Sequence, residues 1–299
     1  MGGRGKMNMM KARRRVRVRS ALLLSALACA VSLLFGEAMR LSGAAMAPAA
    51  RLLLEGGVTV IAFGMTAYLG LCALDGDQRR IVPLCQLTRG QIFWLSLLGL
   101  LCAAPMTLTS GVLDAWFAPG AEAASFGAAG NALFLLTLVK SALLVPICEE
   151  LFFRGYLYGA LRRFGVWRAA LVTALVFALA HGLSPSAFVP RVLLALLLSM
   201  MLEKTGTLLA PILVHGCYNA ALIVIAYAGL SPLFSELSLL SCALRLALCL
   251  LFLYALRRAY TVRGLQKPLR PFDEWRFTKK EMALIAAALL LMMLAEVLA

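Results

Sequence analysis

The chain has 299 residues, of which 62% are hydrophobic and only 14% charged, whereas soluble domains run nearer half apolar and about a quarter charged. That excludes a soluble fold, and a mean hydropathy of +0.89 makes lipid the solvent. The net charge of +15 is blocked at helix ends, the pattern that meets anionic head groups, so it argues for a bilayer and against nucleic acid as partner.

Apolar runs of about 18 to 24 residues suit helices that cross a hydrocarbon core of about 30 Å, and they lack the alternation of barrel strands. The fold class expected is all-α, a polytopic membrane helix bundle of eight or nine transmembrane helices. In chain order the spans read as 20–37, 56–74, 91–113, 131–160, 166–183, 187–203, 206–229, 237–256 and 281–299. The basic head and first apolar run resemble a secretory signal, but with no clear cleavage context they read as an uncleaved first span. The stretch 41–55, with Pro48 and Arg51, reads as a loop or interfacial helix, and 114–130, rich in Ala and Gly, as a loop. Residues 1–19 and 257–280 each hold eight Lys or Arg, while 114–130 and 230–236 hold none. With nine spans this places the N-terminus in the cytoplasm. Ala and Arg richness points to a bacterial chain, hence to its cytoplasmic membrane. The eight cysteines form no CxxC pair and read as packing residues, Cys148 and Cys217 included.

A charge within lipid costs about 2.5 kcal/mol or more on insertion scales, so each one needs a reason. In Cys148-Glu149-Glu150-Leu151-Phe152-Phe153-Arg154, two carboxylates interrupt an apolar run. Glu150 and Arg154, four apart, share a helical face and can pair, which turns Glu149 about 100° away toward a cavity. The chain's two histidines, His181 and His215, both lie in apolar segments, in Phe177-Ala178-Leu179-Ala180-His181 and His215-Gly216-Cys217-Tyr218-Asn219. His215 and Asn219 share a face. Lys140 and Arg191 read as interfacial or snorkelling cations.

Together these residues suit peptide hydrolysis. Glu149 serves as base for a water that His181 holds or polarises, and His215 with Asn219 supplies donors to the oxyanion. Alternatively Glu149, His181 and His215 bind zinc with water in the fourth position. No HExxH helix is present, so spacing alone does not decide for a metal.

The ordered set EExxxR, FxxxH and HxxxN resembles the CPBP family of membrane proteases, also called CAAX protease/Abi-like, over about residues 131–229. The resemblance implies an intramembrane endopeptidase acting on a membrane-anchored or lipidated peptide. It implies Glu149 and His181 at the water, His215 and Asn219 at the oxyanion, and Glu150 and Arg154 as structural support. The metal-free glutamate mechanism is preferred over zinc, so no cofactor is required. The chain then divides into N-terminal transmembrane segments with a basic cytoplasmic tail (1–130), the catalytic core (131–229), and C-terminal transmembrane segments with a basic loop (230–299). Two other functions compete, a non-catalytic membrane immunity or scaffold protein and an ion-coupled transporter. The transporter lacks an evident inverted repeat.

Overall fold

The computed structural model describes residues 2–42, 46–73, 84–117, 131–230, 233, 239–261 and 279–298. These form helices and connecting turns, with no strand among the described residues. Of the expected loop at 114–130, residues 114–117 are instead the last turn of the helix Arg89–Phe117, and 118–130 lie outside the described residues, as do most of the basic segments at 75–90 and 257–280.

Helix α1 (Gly2–Ser42) is followed by α2 (Pro48–Thr59), which continues through a π-helical stretch, Val60–Met65, into α3 (Thr66–Ala73). Helix α4 spans Arg89–Phe117. The rod that carries the first motif runs through α5 (Asn131–Leu138), a π stretch Val139–Leu144, α6 (Val145–Glu150), a second π stretch Leu151–Tyr158, α7 (Gly159–Leu161) and a 3-10 turn. Helices α8 (Val166–Leu179), α9 (Pro185–Thr205), α10 (Leu209–Tyr227), α11 (Leu239–Thr261) and α12 (Lys279–Leu298) complete the bundle.

Among the described residues, seven helices are long and apolar enough to cross a membrane: Val18–Gly36, Pro48–Cys72, Arg89–Phe117, Ala132–Phe164, Pro185–Thr205, Leu209–Tyr227 and Leu240–Ala259. The chain is thus an all-α, multi-pass membrane protein. Two further expectations change. The stretch read as loop or interfacial helix at 41–55 contains the start of a span, because Pro48 opens α2 from its first turn, where its missing N–H costs nothing. The segment expected to span 166–183 is a helix of 14 residues, which at 1.5 Å per residue reaches only about 21 Å.

Packing follows from small residues and freed carbonyls. Helix α4 lies against α9, α10 and α11, α8 against α9, and α1 against α12. The fully buried Phe152, Phe153, Tyr158, Phe164 and Phe177 fill the core around the Ala132–Phe164 rod. Pro190 in α9 has no N–H to offer the Ser186 carbonyl one turn back. Ser110 of α4 donates to that oxygen at 2.7 Å. Near the other end of α9, Glu203 accepts from Tyr158 at 2.6 Å, from Arg162 Nη2 at 2.8 Å and from Arg162 Nε.

Gly99 sets the approach of α4 to α10: a Cβ there would meet the Val214 carbonyl oxygen and come within 2.7 Å of Cys217 Cβ. Gly111, on the same helix, has nothing within 4 Å. Gly99→Ala is therefore expected to lower stability by about 1–3 kcal/mol through overpacking, with Gly111→Ala neutral or stabilising. Thermal unfolding of the two variants in detergent checks the difference.

Candidate active site

The site is built on an interrupted helix. The Val145 N–H bonds back to the Lys140 carbonyl, five residues earlier, and Pro146 has no N–H. The two donors that would ordinarily take the Ser141 carbonyl are therefore both withheld. Asn219 of α10 takes it instead, its Nδ2 donating at 2.7 Å. One turn earlier Gly216 lets the α10 backbone rest on the same stretch, since a Cβ there would stand 2.5 Å from the Ala142 carbonyl oxygen. The widened turn docks α10 and brings His215 to the two glutamates.

Glu150 is fully buried. Its Oε1 accepts from Arg154 Nη1 at 2.9 Å, the i,i+4 pair expected, and lies 2.9 Å from His215 Nδ1. Arg154, equally buried, donates from Nη2 to the Ala195 carbonyl of α9 at 3.1 Å and stands 4.9 Å above the Phe177 ring of α8. One carboxylate and one guanidinium thus join the rod to α8, α9 and α10.

Glu149 turns the other way and lines a cavity of about 840 Å³. His181 Nε2 lies 3.6 Å from its Oε1 and His215 Nε2 lies 3.9 Å from its Oε2. Glu149 Oε2 is buried without a hydrogen-bond partner among the described residues. His181 Nδ1 donates to the Phe177 carbonyl at 2.7 Å. A carbonyl only accepts, so this fixes the proton on Nδ1 and leaves Nε2 to face Glu149. The short α8 explains how His181 arrives there. The helix begins where the sequence indicates but stops at Leu179, and Gly182, at φ 123°, turns the chain into α9 beside the glutamate.

All four sequence-predicted residues, Glu149, His181, His215 and Asn219, line this one cavity. Asn219 has one amide hydrogen committed to Ser141, so it offers a single free N–H to the cavity. Among the described residues no group of three or more His, Cys, Asp or Glu is placed to hold a metal ion. Neither Cys148 nor Cys217 lines the cavity, and Cys148 packs against Gly64.

Lys140 and Arg191, read as interfacial cations, line the cavity too, as do Arg51, Glu55 and Tyr218. Lys140 Nζ pairs with Glu55 Oε2 at 2.6 Å, and Arg51 Nε with Glu55 Oε1 at 3.0 Å. The available signal is the i,i+4 spacing of Arg51 and Glu55, which marks a helix face inside the stretch read as a loop or interfacial helix.

Residues 131–221 match the family model described as type II CAAX prenyl endopeptidase Rce1-like. Over this segment, under a third of the chain, the protein is similar to the CAAX protease family. All three motifs lie inside it, and the family recognised in them is the family that matches. No curated protein and no solved structure matches the chain. At family level the CAAX-protease segment is that of an intramembrane endopeptidase.

Removing Glu150 strands a buried guanidinium. Glu150→Ala is expected to cost about 3–5 kcal/mol, against little for Glu149→Gln, which leaves the Arg154 pair intact. Denaturation of both variants in the same detergent measures the contrast.

Proposed function

We propose that the chain hydrolyses a peptide bond near the lipidated C-terminus of a membrane-associated protein, with Glu149 as the base that activates water. The observation that carries this reading is the convergence of two imidazole Nε2 atoms, 3.6 and 3.9 Å away, on the two oxygens of one cavity-lining carboxylate. The gaps suit a water held between carboxylate and His181 rather than direct hydrogen bonds. Glu149 takes the water's proton as its oxygen adds to the scissile carbonyl carbon. The tetrahedral oxyanion is met by the free Asn219 N–H and by His215 Nε2, which donates when the ring is protonated and Glu150 balances its charge. Glu149 then returns the proton to the leaving amine as the C–N bond breaks.

The substrate class follows from the family description, which names a CAAX prenyl endopeptidase. A CAAX sequence ends in a prenylated cysteine and three further residues. The lipid anchor would lie along the apolar wall of the cavity. On the same reading the basic blocks put the N-terminus in the cytoplasm of a bacterial cell. No step in this scheme uses a metal.

Glu149→Gln and His181→Ala are each expected to lower kcat by about a hundredfold or more on a prenylated CAAX peptide, the size of a general-base contribution, with folding unchanged. Activity retained in both variants would sink the mechanism, and a biological effect that survives Glu149→Gln would favour the scaffold reading. Protein dialysed against a strong zinc chelator is expected to keep its rate within about twofold, since Glu149 works without a Lewis acid. Loss that added zinc restores would assign the water to a metal.

A further inference from the structure

Three cations line the cavity, and they are not equivalent. Arg51 and Lys140 share the carboxylate of Glu55, at 3.0 and 2.6 Å. Arg191, on the second turn of α9, makes no ion pair with any described carboxylate, and its one hydrogen bond runs from Nη1 to the Ala187 carbonyl of its own helix at 2.9 Å. The glutamates that might serve it are otherwise engaged: Glu150 by Arg154 and His215, and Glu149 by facing the two histidines. A part-buried guanidinium in a membrane-spanning helix without a directly paired anion is costly unless one arrives. Tyr218 of α10 lines the same cavity, and both it and Glu149 lie within electrostatic reach of Arg191, though neither makes a hydrogen bond or ion pair with it among the described residues. A planar fork and a hydroxyl donor lining one cavity are the groups that recognise a carboxylate.

We propose that Arg191, assisted by the Tyr218 hydroxyl, binds the free C-terminal carboxylate of the substrate. This rests on the hydrolysis of a CAAX end proposed above. Three residues follow the cysteine in such a sequence, and in extended form they span at most about 10 Å; Arg191 and Glu149 both line the one cavity of about 840 Å³ that would hold them. Arg191 thereby measures the cut from the chain end: the carboxylate is anchored at α9, and the bond after the cysteine falls at Glu149. Internal peptide bonds, which carry no carboxylate three residues on, are refused because they leave Arg191 unpaired.

The probe is a farnesyl-cysteine peptide with three aliphatic residues after the cysteine, prepared as the free acid and as the C-terminal amide. Equilibrium binding is measured on full-length Glu149→Gln protein in phospholipid nanodiscs, where no cleavage intervenes. The acid is expected to bind about ten- to a hundredfold tighter than the amide, the range of a charge-assisted contact. Adding Arg191→Gln should weaken the acid alone and erase the preference, while Arg191→Lys should keep part of it, having the charge without the fork. In the unsubstituted enzyme Arg191→Gln should raise KM for the acid and leave kcat unchanged. Equal binding of acid and amide overturns the proposal, as does an Arg191→Gln variant that weakens both alike. A loss of kcat on both peptides would place Arg191 at the oxyanion and also overturn it. Since binding is read without turnover, failure of the enzyme to cleave would sink the hydrolysis while the carboxylate comparison still stands.

Discussion

The site depends on neutralising Glu150. A carboxylate with no solvent exposure in a membrane-spanning segment cannot stay ionised unless donors meet it inside the protein. Arg154 and His215 both meet it, at 2.9 Å each. Each partner brings another helix: Arg154 reaches the Ala195 carbonyl of α9, and His215 is part of α10. Once Nδ1 of His215 is committed to Glu150, its other nitrogen has only one carboxylate to face, and that is Glu149. Two adjacent residues of the same chemistry thus diverge because successive side chains on a helix differ by about 100°, one bracing the bundle and the other lining the cavity.

A second constraint shapes the same region. Where no water reaches, every carbonyl released from a helical ladder needs another donor. The π turn and Pro146 release the Ser141 carbonyl beside the glutamates and Pro190 releases that of Ser186 near the start of α9, and each is taken by a side chain from a different helix, Asn219 in the first case and Ser110 in the second. The proline that disrupts a helix therefore also specifies its neighbour. This gives Asn219 a structural task beside the one expected of it, and only one of its amide hydrogens is left for chemistry.

What was legible in the sequence was whatever depends on near neighbours along one helix. The apolar runs, the Glu150–Arg154 pair at i,i+4, and the turning of Glu149 away from it all follow from helical periodicity. The resemblance supplied the grouping of three motifs on separate helices, which spacing alone could not. The short reach of α8 was not legible, because Leu179, Ala180 and their neighbours are as apolar as a span and only Gly182 and Ser184-Pro185 hint at a turn. Nor was the place of Lys140 and Arg191: an isolated cation in an apolar run looks the same whether it snorkels or lines a cavity. Deciding that takes the partner helix, and for Lys140 the partner, Glu55, is 85 residues away.

The two histidines beside Glu149 are made inequivalent by what holds their far nitrogens. His181 Nδ1 is bonded to a backbone carbonyl, which fixes the proton but adds no full charge, and a quarter of its side chain remains exposed to the cavity (26%). His215 Nδ1 is bonded to a carboxylate, and its side chain is 4% exposed. A neutral partner and open surroundings suit a ring that accepts a hydrogen bond from water. A carboxylate partner supplies the counter-charge for a ring that carries an extra proton while a negative oxygen forms opposite it. The division of labour proposed for these residues therefore does not depend on which imidazole lies nearer Glu149, since the two distances differ by little. It depends on Phe177 offering a carbonyl and Glu150 offering a charge, and both sit on the helices that bring the site together, Glu150 beside Glu149 on α6 and Phe177 one turn before His181 on α8.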